Sequence, residues 1–347
     1  MRRDTPQLRS RRAANPFLAL CYVSCTLCQQ HIYRPADDSS HRNQGYRLMI
    51  RDLMRTLGVP ALVRPLRRTV GKIFAARLRC YDEVYASFQE KIGLELGGPS
   101  SVFQPGGLLP IYPLAARIDN CNFSGETIWE GRIATGSTFR YDERRTPGRQ
   151  FVAEAGHLDF APSASYDFVL SSHMLEHSAN PVKVLGEWRR VVKPNGTLVV
   201  LLPHRDATFD HRRPVTTIQH LMEDFERGTG EDDLTHLPEI LELHDLKRDP
   251  EAGGPESFEL RSQRNFENRC LHQHVFDTRL AIELINLVQL QIRAVEAVKP
   301  MHIAIVAARP PDEVPANNEQ FLRQDATYVR SSPFPSDRAS ARAHAGR

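Results

Sequence analysis

The sequence predicts an α/β fold, a doubly wound and mostly parallel seven-stranded sheet preceded by a helical N-terminal extension. Two observations support this prediction. From about residue 92 to residue 309, short apolar runs alternate with segments of helical periodicity, which is typical of a parallel sheet covered by helices on both faces. Apolar residues make up 41% and charged residues 25% of the 347 residues, as in ordinary folded globular proteins.

The region before the sheet divides into two parts. Residues 1–45 mix Arg, Ser, Asp and Pro without periodicity, which predicts a disordered or mobile basic arm. In residues 46–91 apolar side chains recur at helical spacing, which predicts the helical extension. Residues 1–79 hold 16 Lys and Arg against 4 Asp and Glu. Such a leader could contact an anionic membrane or nucleic acid, but Arg-rich termini are also common as solvated arms, and we favour the arm.

The sheet domain is expected over residues 92–309. Its predicted strands lie at 94–96, 139–141, 151–153, 168–170, 197–202, 292–298 and 302–307. Its predicted helices lie at 181–192, 216–226 and 277–288. A repeated strand–helix–strand order of this kind is the pattern of a doubly wound sheet.

The remaining composition limits the class of protein. Residues 310–347 are rich in Pro, Ser, Asn, Ala and Arg and lack hydrophobic periodicity, which predicts a disordered tail. No segment approaches the apolar stretch of about twenty residues that a spanning helix needs, so no membrane span is expected. Six cysteines, only three of them clustered, make a poor disulfide framework, which predicts a cytoplasmic protein.

The most specific stretch of the sequence lies at residues 165–203. It reads SYDFVLSSHMLEHSANP and, after five residues, EWRRVVKPNGTLVVLLP. These residues closely resemble the methyltransferase type 11 family, in which an S/T-F/Y-D-x-V strand leads to an L-E-H element, a helix ending in R-V-L-K-P-G-G and a further strand. The resemblance extends over about residues 93–308. It implies the Rossmann-like fold of class I methyltransferases, with S-adenosylmethionine as the cofactor.

Residues 93–101 occupy the place of the family's glycine-rich motif. The resemblance assigns Glu95 to the acidic position that precedes the glycines. Gly97 and Gly98 would let the backbone approach the cofactor closely, whereas Pro and Ser replace the later glycines of the motif. An ordinary strand-to-helix turn remains the alternative for this segment.

The resemblance implies further cofactor contacts after the other strands. Asp142 is expected to bind the ribose hydroxyls, with Asp119 as its rival inside an apparent insertion at residues 106–131, and Glu154 is expected to reach the adenine amine. Carboxylates suit this role because they accept hydrogen bonds from both vicinal hydroxyls. The residues expected to line the cofactor and acceptor crevice after strand 168–170 are Ser171, Ser172, His173 and Met174.

The loop after strand 197–202 reads PHRDATFDHRRP and is dense in ionisable groups. We expect acceptor recognition at this active end of the sheet. The residues expected to bind the acceptor are Arg205, Asp210, Arg212, Arg213 and His236. An oxygen or nitrogen acceptor also needs a proton acceptor, and a neutral imidazole serves near neutral pH. The candidate catalytic residues are His173, His177, His204 and His211.

Two metal sites were weighed against simpler explanations. Divalent-metal ligands are available at Asp206, Asp210, Asp232, Asp233 and His236, but their spacing matches no defined motif, and helix capping or loop ion pairs explain them more simply. Cys21, Cys25 and Cys28 have the C-x3-C-x2-C spacing that radical S-adenosylmethionine enzymes use for a four-iron cluster, and with His31 they could also bind zinc. Irregular or helical residues follow instead of repeated βα units, so we interpret the spacing as accidental and predict no metal.

The sequence therefore predicts an S-adenosylmethionine-dependent methyltransferase acting on a polar small-molecule or sugar-like acceptor. The first alternative is a catalytically silent domain that keeps the fold as a binding module, and the second is the radical enzyme. Nucleic acid is not expected as a partner because the region after residue 79 is net acidic and lacks a basic track interleaved with aromatic residues. The sequence contains no signal for the oligomeric state.

Overall fold

The computed structural model describes residues 77–339. The predicted mobile arm at 1–45, the first part of the predicted helical extension at 46–76 and the last eight residues lie outside the described residues. Within residues 77–339, no helix combines the length and apolar character that crossing a bilayer demands.

The strands in chain order are β1 (Ile92–Leu96), β2 (Arg117–Asn122), β3 (Glu126–Thr127), β4 (Gly131–Arg132), β5 (Gly136–Phe139), β6 (Gly148–Val152), β7 (Tyr166–Ser172), β8 (Val192–Pro203), β9 (Gln291–Val298) and β10 (His302–Ala308). The α-helices are α1 (Tyr81–Val84), α2 (Pro181–Val191), α3 (Ile218–Arg227), α4 (Leu237–Leu243), α5 (Pro255–Gln263), α6 (Asn265–Asn268), α7 (Thr278–Leu287), α8 (Glu319–Leu322) and α9 (Thr327–Ser331). Short 3-10 helices lie at Tyr85–Ser87, Ser101–Phe103, Leu175–His177, Arg205–Ala207 and Pro250–Ala252.

Eight strands form one sheet in the order β5-β6-β2-β1-β7-β8-β10-β9, and β3 pairs with β4 in a separate ribbon. The strands from β6 to β8 in this order pair in parallel, while β10 is antiparallel to both its neighbours and β5 is antiparallel to β6. The predicted doubly wound, mostly parallel sheet is confirmed. It has one strand more than the seven expected, because β2 joins the sheet between β6 and β1, and the strand predicted at 139–141 is the antiparallel edge β5.

The strand missing from the sequence prediction is β2, which lies inside the segment interpreted as an insertion. Its sequence, RIDNCN, is polar, yet five of its six residues are buried. Asp119 accepts hydrogen bonds from the Arg149 backbone N–H at 2.9 Å and from the Tyr166 hydroxyl at 3.2 Å. The interpretation of residues 106–131 as an insertion was therefore wrong. The strand was missed because its buried side chains are polar and hydrogen-bonded within the protein, so they leave no hydrophobic pattern in the sequence.

Helix α2 covers one face of the sheet and shows why the type 11 motif folds as it does. Asn180 accepts a hydrogen bond from the Lys183 backbone N–H at 3.0 Å, and Pro181 occupies the first turn, so the helix begins with an N-cap followed by proline. Trp188 is fully buried and donates to the Ala155 carbonyl at 3.2 Å. This helix, predicted at 181–192, therefore holds the segment after β6 against the sheet.

The N-terminal segment 77–91 packs directly on the sheet. Phe88 lies edge-to-face on Phe168 of β7, with ring centroids 5.3 Å apart. The Cys80 backbone N–H donates to the Glu296 carboxylate of β9 at 2.8 Å. The predicted boundary at residue 92 therefore does not separate two units, since this segment shares the core of the sheet domain.

The C-terminal segment is ordered up to residue 339, so the predicted disordered tail is wrong for residues 310–339. Phe334 is 3% exposed and stacks on His204 with ring centroids 4.0 Å apart. Asp337 accepts from His204 Nε2 at 3.2 Å and from the Thr278 hydroxyl at 2.8 Å. A few separated anchors hold this segment, and they carry no periodicity that a sequence pattern could reveal.

A buried carboxyl supports the loop after β1. Glu95 is fully buried and accepts hydrogen bonds from the Tyr112 hydroxyl at 2.8 Å and from the Ser100 backbone N–H at 3.1 Å. Burial raises the pKa of Glu95 from 4.5 to about 8, although both hydrogen bonds oppose the shift. The carboxyl is therefore protonated in the native state at pH values where an unfolded chain has already released that proton.

We expect Phe334→Ala to lower the free energy of unfolding by about 3 kcal/mol, because it empties a packed aromatic site. Phe225→Ala is the matched control, since Phe225 is 51% exposed and its loss should change stability little. Urea unfolding followed by circular dichroism measures both. Equal midpoints for Phe334→Ala and the unaltered protein would show that residues 327–339 do not stabilise the core.

We expect the stability conferred by Glu95 to fall as pH rises from about 4.5 to about 8. In this window the native state holds a proton that the unfolded state has lost, so raising the pH favours unfolding. Glu95→Gln cannot titrate, and the variant should gain stability relative to the unaltered protein across the same window. Urea unfolding at pH 5, 6.5 and 8 tests this, with the exposed Glu259→Gln as control. A pH-independent difference would contradict the assignment.

Candidate active site

A cavity of about 1120 Å³ opens at the carboxyl ends of the parallel strands. Gly97 follows β1, Asn122 ends β2, Glu154 follows β6 and Ser172 ends β7, and all four line the cavity. The chain passes from β1 outward to β2 and β6 and then returns as β7 on the other side of β1. The cavity therefore lies at the switch point where open α/β sheets bind ligands.

The loop after β1 brings main chain to the cavity wall. Gly97 has a φ of 80°, a left-handed conformation that favours glycine, and its N–H donates to the Cys121 carbonyl at 3.0 Å. A Cβ on Gly98 would lie 2.2 Å from the Glu95 carboxyl carbon. Gly97 lines the cavity, whereas Glu95 lies beneath the loop. Glu95 thus supports the loop through Ser100 and is not among the wall residues.

Asn122 occupies the position at the end of β2 that the sequence analysis gave to Asp142. Its side chain lines the cavity, and its buried Nδ2 has no hydrogen-bond partner among the described residues. Asp142 lies away from the cavity and forms an ion pair with Arg144 at 2.9 Å. The rival Asp119 is in the middle of β2 and is satisfied internally. Both expectations for a carboxylate here were wrong, because the strand that sets the position had been missed.

Glu154 follows β6 and lines the cavity, as expected from the sequence. Its carboxylate pairs with Arg269 at 2.8 Å, and Arg269 also pairs with Glu231 at 3.0 Å. Glu231 in turn accepts from the Ser178 hydroxyl at 3.0 Å. This chain of charges joins the end of β6, the segment after α3 and the segment after α6 into one wall.

The end of β7 contributes Ser172 and His173 to the wall, but Ser171 is fully buried within the strand and does not line the cavity. His173 has a φ of 53°, and its Nε2 lies 2.8 Å from His302 Nδ1. Burial lowers the pKa of His173 well below its usual value and that of His302 to about 4. Both rings are therefore neutral at physiological pH.

A second imidazole lies deeper in the wall and is held by a carboxylate. His272 lines the cavity, and its Nδ1 lies 2.5 Å from Asp210 Oδ2. Arg213 donates to Asp210 Oδ1 at 3.0 Å and to the His272 carbonyl at 2.8 Å. Burial favours the neutral carboxyl, but His272 and Arg213 outweigh it and lower the pKa of Asp210 to about 2. Burial favours the neutral His272 ring, but Asp210 outweighs it and raises the pKa of His272 above its usual value. The raised pKa makes the ring nitrogen that faces away from Asp210 a stronger proton acceptor whenever the ring is neutral.

Glu176, His177 and Trp129 complete this polar side of the cavity. His177 stacks edge-to-face on Trp129 at 5.4 Å and on His272 at 4.7 Å between ring centroids. Burial raises the pKa of Glu176 to about 7, and burial together with the charge of His272 lowers the pKa of His177 to about 3. Glu176 Oε2 is buried and has no hydrogen-bond partner among the described residues.

Several residues expected at the acceptor site lie elsewhere. His204 is fully buried beneath Phe334, so its predicted catalytic contact was wrong. His211 pairs with Asp245 at 2.9 Å outside the cavity wall. Asp210 and Arg213 stand behind His272. The remaining predicted acceptor residues that are absent from the wall are Arg205, Arg212 and His236.

The wall also contains residues that the sequence analysis did not select as site residues. His272 and His302 lie 69 and 99 residues after the end of the type 11 motif at residue 203, and Asn122 and Trp129 lie in the segment misread as an insertion. The nearest available signal was the density of imidazoles at 272–274. His272 and His274 each join a different cluster of side chains.

The residues at the sheet edge fit S-adenosylmethionine. A left-handed glycine allows close approach of a ligand to the loop after β1, and the unpartnered amide of Asn122 offers a hydrogen-bond donor. Apolar contact surface comes from Phe123, Met174 and Ala153. Next to these apolar side chains, the carboxylate of Glu154 supplies oxygens that accept hydrogen bonds. The cavity, at about 1120 Å³, is slightly larger than the range of about 300–1,000 Å³ that is usual for small-molecule sites.

One family model matches part of the sequence. Residues 127–200 match the family model described as a methyltransferase domain, a segment that runs from β3 into β8. No curated protein matches the sequence significantly.

Solved structures also resemble the chain. The crystal structure of the CurJ carbon methyltransferase is 12% identical, with 65% of this chain and 50% of that chain covered and a TM-score of 0.35. This chain therefore spans half the length of that structure. A methyltransferase from Aquifex aeolicus is 12% identical (74% and 97% covered, TM-score 0.35). One from Mesorhizobium loti is 13% identical (66% and 97% covered, TM-score 0.38).

The family match covers the motif that forms β7, α2 and most of β8. The cavity lies at the switch point beside that motif, and its wall fits the cofactor. The predicted mostly parallel α/β fold is confirmed, and the predicted enzyme class and cofactor agree with the match of residues 127–200 to a methyltransferase domain.

Proposed function

We propose that this methyltransferase transfers the methyl group to an oxygen or nitrogen atom of a polar, hydroxylated small molecule of sugar-like character. The observation that supports this most is the Asp210–His272 pair on the cavity wall, with 2.5 Å between Asp210 Oδ2 and His272 Nδ1. A buried pair of this kind suits an acceptor that must give up a proton. Acceptors that lose no proton on methylation would not need it.

When bound, S-adenosylmethionine supplies an electrophilic methyl group on a sulfonium. The chain's own contribution is alignment and proton transfer. In the proposed arrangement the glycine loop and Asn122 hold the cofactor end of the cavity. His272 accepts the proton of the acceptor, and Asp210 and Arg213 fix the orientation of its ring.

The polar side of the cavity suggests the class of acceptor. Trp129 presents an aromatic ring beside His177, and such a face suits the apolar face of a sugar ring. Lys247 and Arg248 on the same wall supply positive charge for an anionic group. Glu176 can bind hydroxyl groups through its unpartnered oxygen. These side chains support a hydrophilic acceptor over a lipid one.

The second candidate function is a silent binding module. It is favoured by the altered motif after β1, where Pro99 and Ser101 stand at usual glycine positions. Such a module binds the cofactor without turning it over, or does not bind it. Two experiments separate these possibilities.

We expect calorimetric titration to show micromolar binding of S-adenosylmethionine and S-adenosylhomocysteine, which Gly97→Val abolishes. The substitution strains a residue with a φ of 80° and places a side chain 3.3 Å from Met174. Gly186→Val is the matched control, because a Cβ there meets no atom within 4 Å. Melting temperatures check that both variants fold. Absence of binding to the unaltered protein would argue against the enzyme.

We expect His272→Gln and Asp210→Asn to lower kcat about 100-fold or more with a hydroxylated acceptor, while the Kd for S-adenosylhomocysteine stays unchanged. The assay follows S-adenosylhomocysteine release with pools of sugars, sugar acids and aminosugars, and His157→Gln on the surface is the control. Turnover of apolar acceptors alone would refute the proposed substrate class. Unchanged kcat in His272→Gln would remove its role as proton acceptor.

A further inference from the structure

Four side chains meet outside the cavity wall in an arrangement that the proposed reaction does not use. His220 and Asp224 lie one turn apart on α3, His236 immediately precedes α4, and His274 lies between α6 and α7. Each offers one ligand atom, and the four atoms all lie within 4.8 Å of one another. Three separate segments of the chain therefore contribute to one cluster, which we call the histidine tetrad.

The distances in the tetrad match those around a tetrahedral metal ion. His220 Nε2 lies 3.1 Å from His236 Nε2 and 3.2 Å from Asp224 Oδ2. His274 Nε2 lies 3.8 Å from the same carboxylate oxygen. Ligands placed at about 2.0–2.1 Å around a tetrahedral centre are about 3.4 Å apart. The observed spacings fall on both sides of this value.

Hydrogen bonding does not account for the tetrad. Asp224 Oδ2 is buried and, despite two imidazole nitrogens within 4 Å, makes no hydrogen bond to any described residue. A proton on His220 Nε2 can point to His236 or to Asp224, but not to both. His274 Nε2 has only a long contact of 3.4 Å to the Ala179 carbonyl, and its Nδ1 is unpartnered within residues 77–339. One cation between these atoms would satisfy them together.

The charge of the tetrad leads to the same conclusion. The Asp224 side chain is 7% exposed, and its ion pairs within the described part of the chain are with histidines. A buried carboxylate without a permanent cation is costly. Thr229 donates to its second oxygen, Oδ1, at 3.1 Å, which orients the carboxylate as an outer-shell partner orients a metal ligand.

We propose that His220, Asp224, His236 and His274 bind one Zn²⁺ ion in a closed, structural site. Three imidazoles and one carboxylate suit zinc better than magnesium or calcium, which prefer oxygen ligands. Four protein ligands leave no open position for catalysis. The ion would link α3 to the segment before α4 and to the segment that carries His272.

Occupancy of the tetrad bears on the cavity wall through Glu231. This residue lies between Asp224 and His236, lines the cavity and pairs with Arg269 at 3.0 Å. Zinc bound on both sides of it in sequence would restrict the loop that presents it. The proposal does not depend on the identity of the methyl acceptor.

The test uses the full chain, stripped with a chelator and reloaded with Zn²⁺ or Co²⁺. We expect one Zn²⁺ per chain by mass spectrometry, and an affinity at least about 10-fold lower in His220→Gln and in His236→Gln. Because His220 is 31% exposed, its loss should leave the fold intact. Chelation should lower the melting temperature of the unaltered protein but not that of the variants.

Two controls separate other metal sites. His272→Gln alters the rival cavity group of Glu176, His177 and His272, and Cys25→Ser/Cys28→Ser removes the cysteine cluster. Zn²⁺ retained in both, with a tetrahedral Co²⁺ spectrum lacking thiolate charge-transfer bands, supports the tetrad. The proposal is overturned if either control loses Zn²⁺ while His220→Gln and His236→Gln keep it. It is also overturned if the unaltered protein does not bind Zn²⁺.

Discussion

The structure depends on one constraint, the parallel pairing of β1 with β7 at the centre of the sheet. Leu94 lies opposite Val169 and Leu96 opposite Ser171, so the two strands end at the same edge. The segment after β1 turns toward β2, and the segment after β7 turns toward α2. Their divergence opens the cavity, and every cofactor-facing residue takes its place from this edge. Loss of that pairing would remove the site together with the core.

One segment, residues 270–276, positions the polar groups at the far side of the cavity, and the chain bends at Leu271 and His274. Arg213 donates to the carbonyl groups of His272 and Gln273, which anchors this segment from behind. His272 lines the cavity with Asp210 behind its ring, while His274 joins the histidine tetrad outside the cavity wall. Two imidazoles only two residues apart thereby enter different electrostatic environments. One arginine, fully buried and fully paired, accounts for this separation.

The sequence allowed prediction of those parts whose physics is local. The strands β7, β8 and β10 and the helices α2, α3 and α7 follow from hydrophobic periodicity, capping residues and the type 11 motif, and their ends lie within a few residues of prediction. Strand β2 was not predicted, because its buried polar residues Asp119 and Asn120 form hydrogen bonds with partners 22 to 47 residues away. For the same reason Asn122, which ends this strand, was not predicted as a cofactor contact.

Local sequence patterns could not predict which side chains form the far wall of the cavity, for a related reason. His204 and His211 belong to the dense polar loop after β8, but their partners Asp337 and Asp245 lie 133 and 34 residues away. Imidazoles in such a loop look alike in sequence, and only tertiary packing decides which of them meets a cavity and which meets a carboxylate in the core. Glu154 and His177, which lie close to strand ends, reached the wall as expected.

The contact of His204 with Phe334 and Asp337 has a consequence for biosynthesis. A ribosome produces His204 long before it produces the residues that cover it, so the nascent chain carries an incomplete sheet edge while more than a hundred further residues are added. Until β10 has been synthesised, β8 has no antiparallel partner, and unpaired strand edges and exposed apolar surface of this kind favour misassembly. Completion of this domain is therefore a late event in translation, set by the delivery of a short segment far from the motif that defines the enzyme.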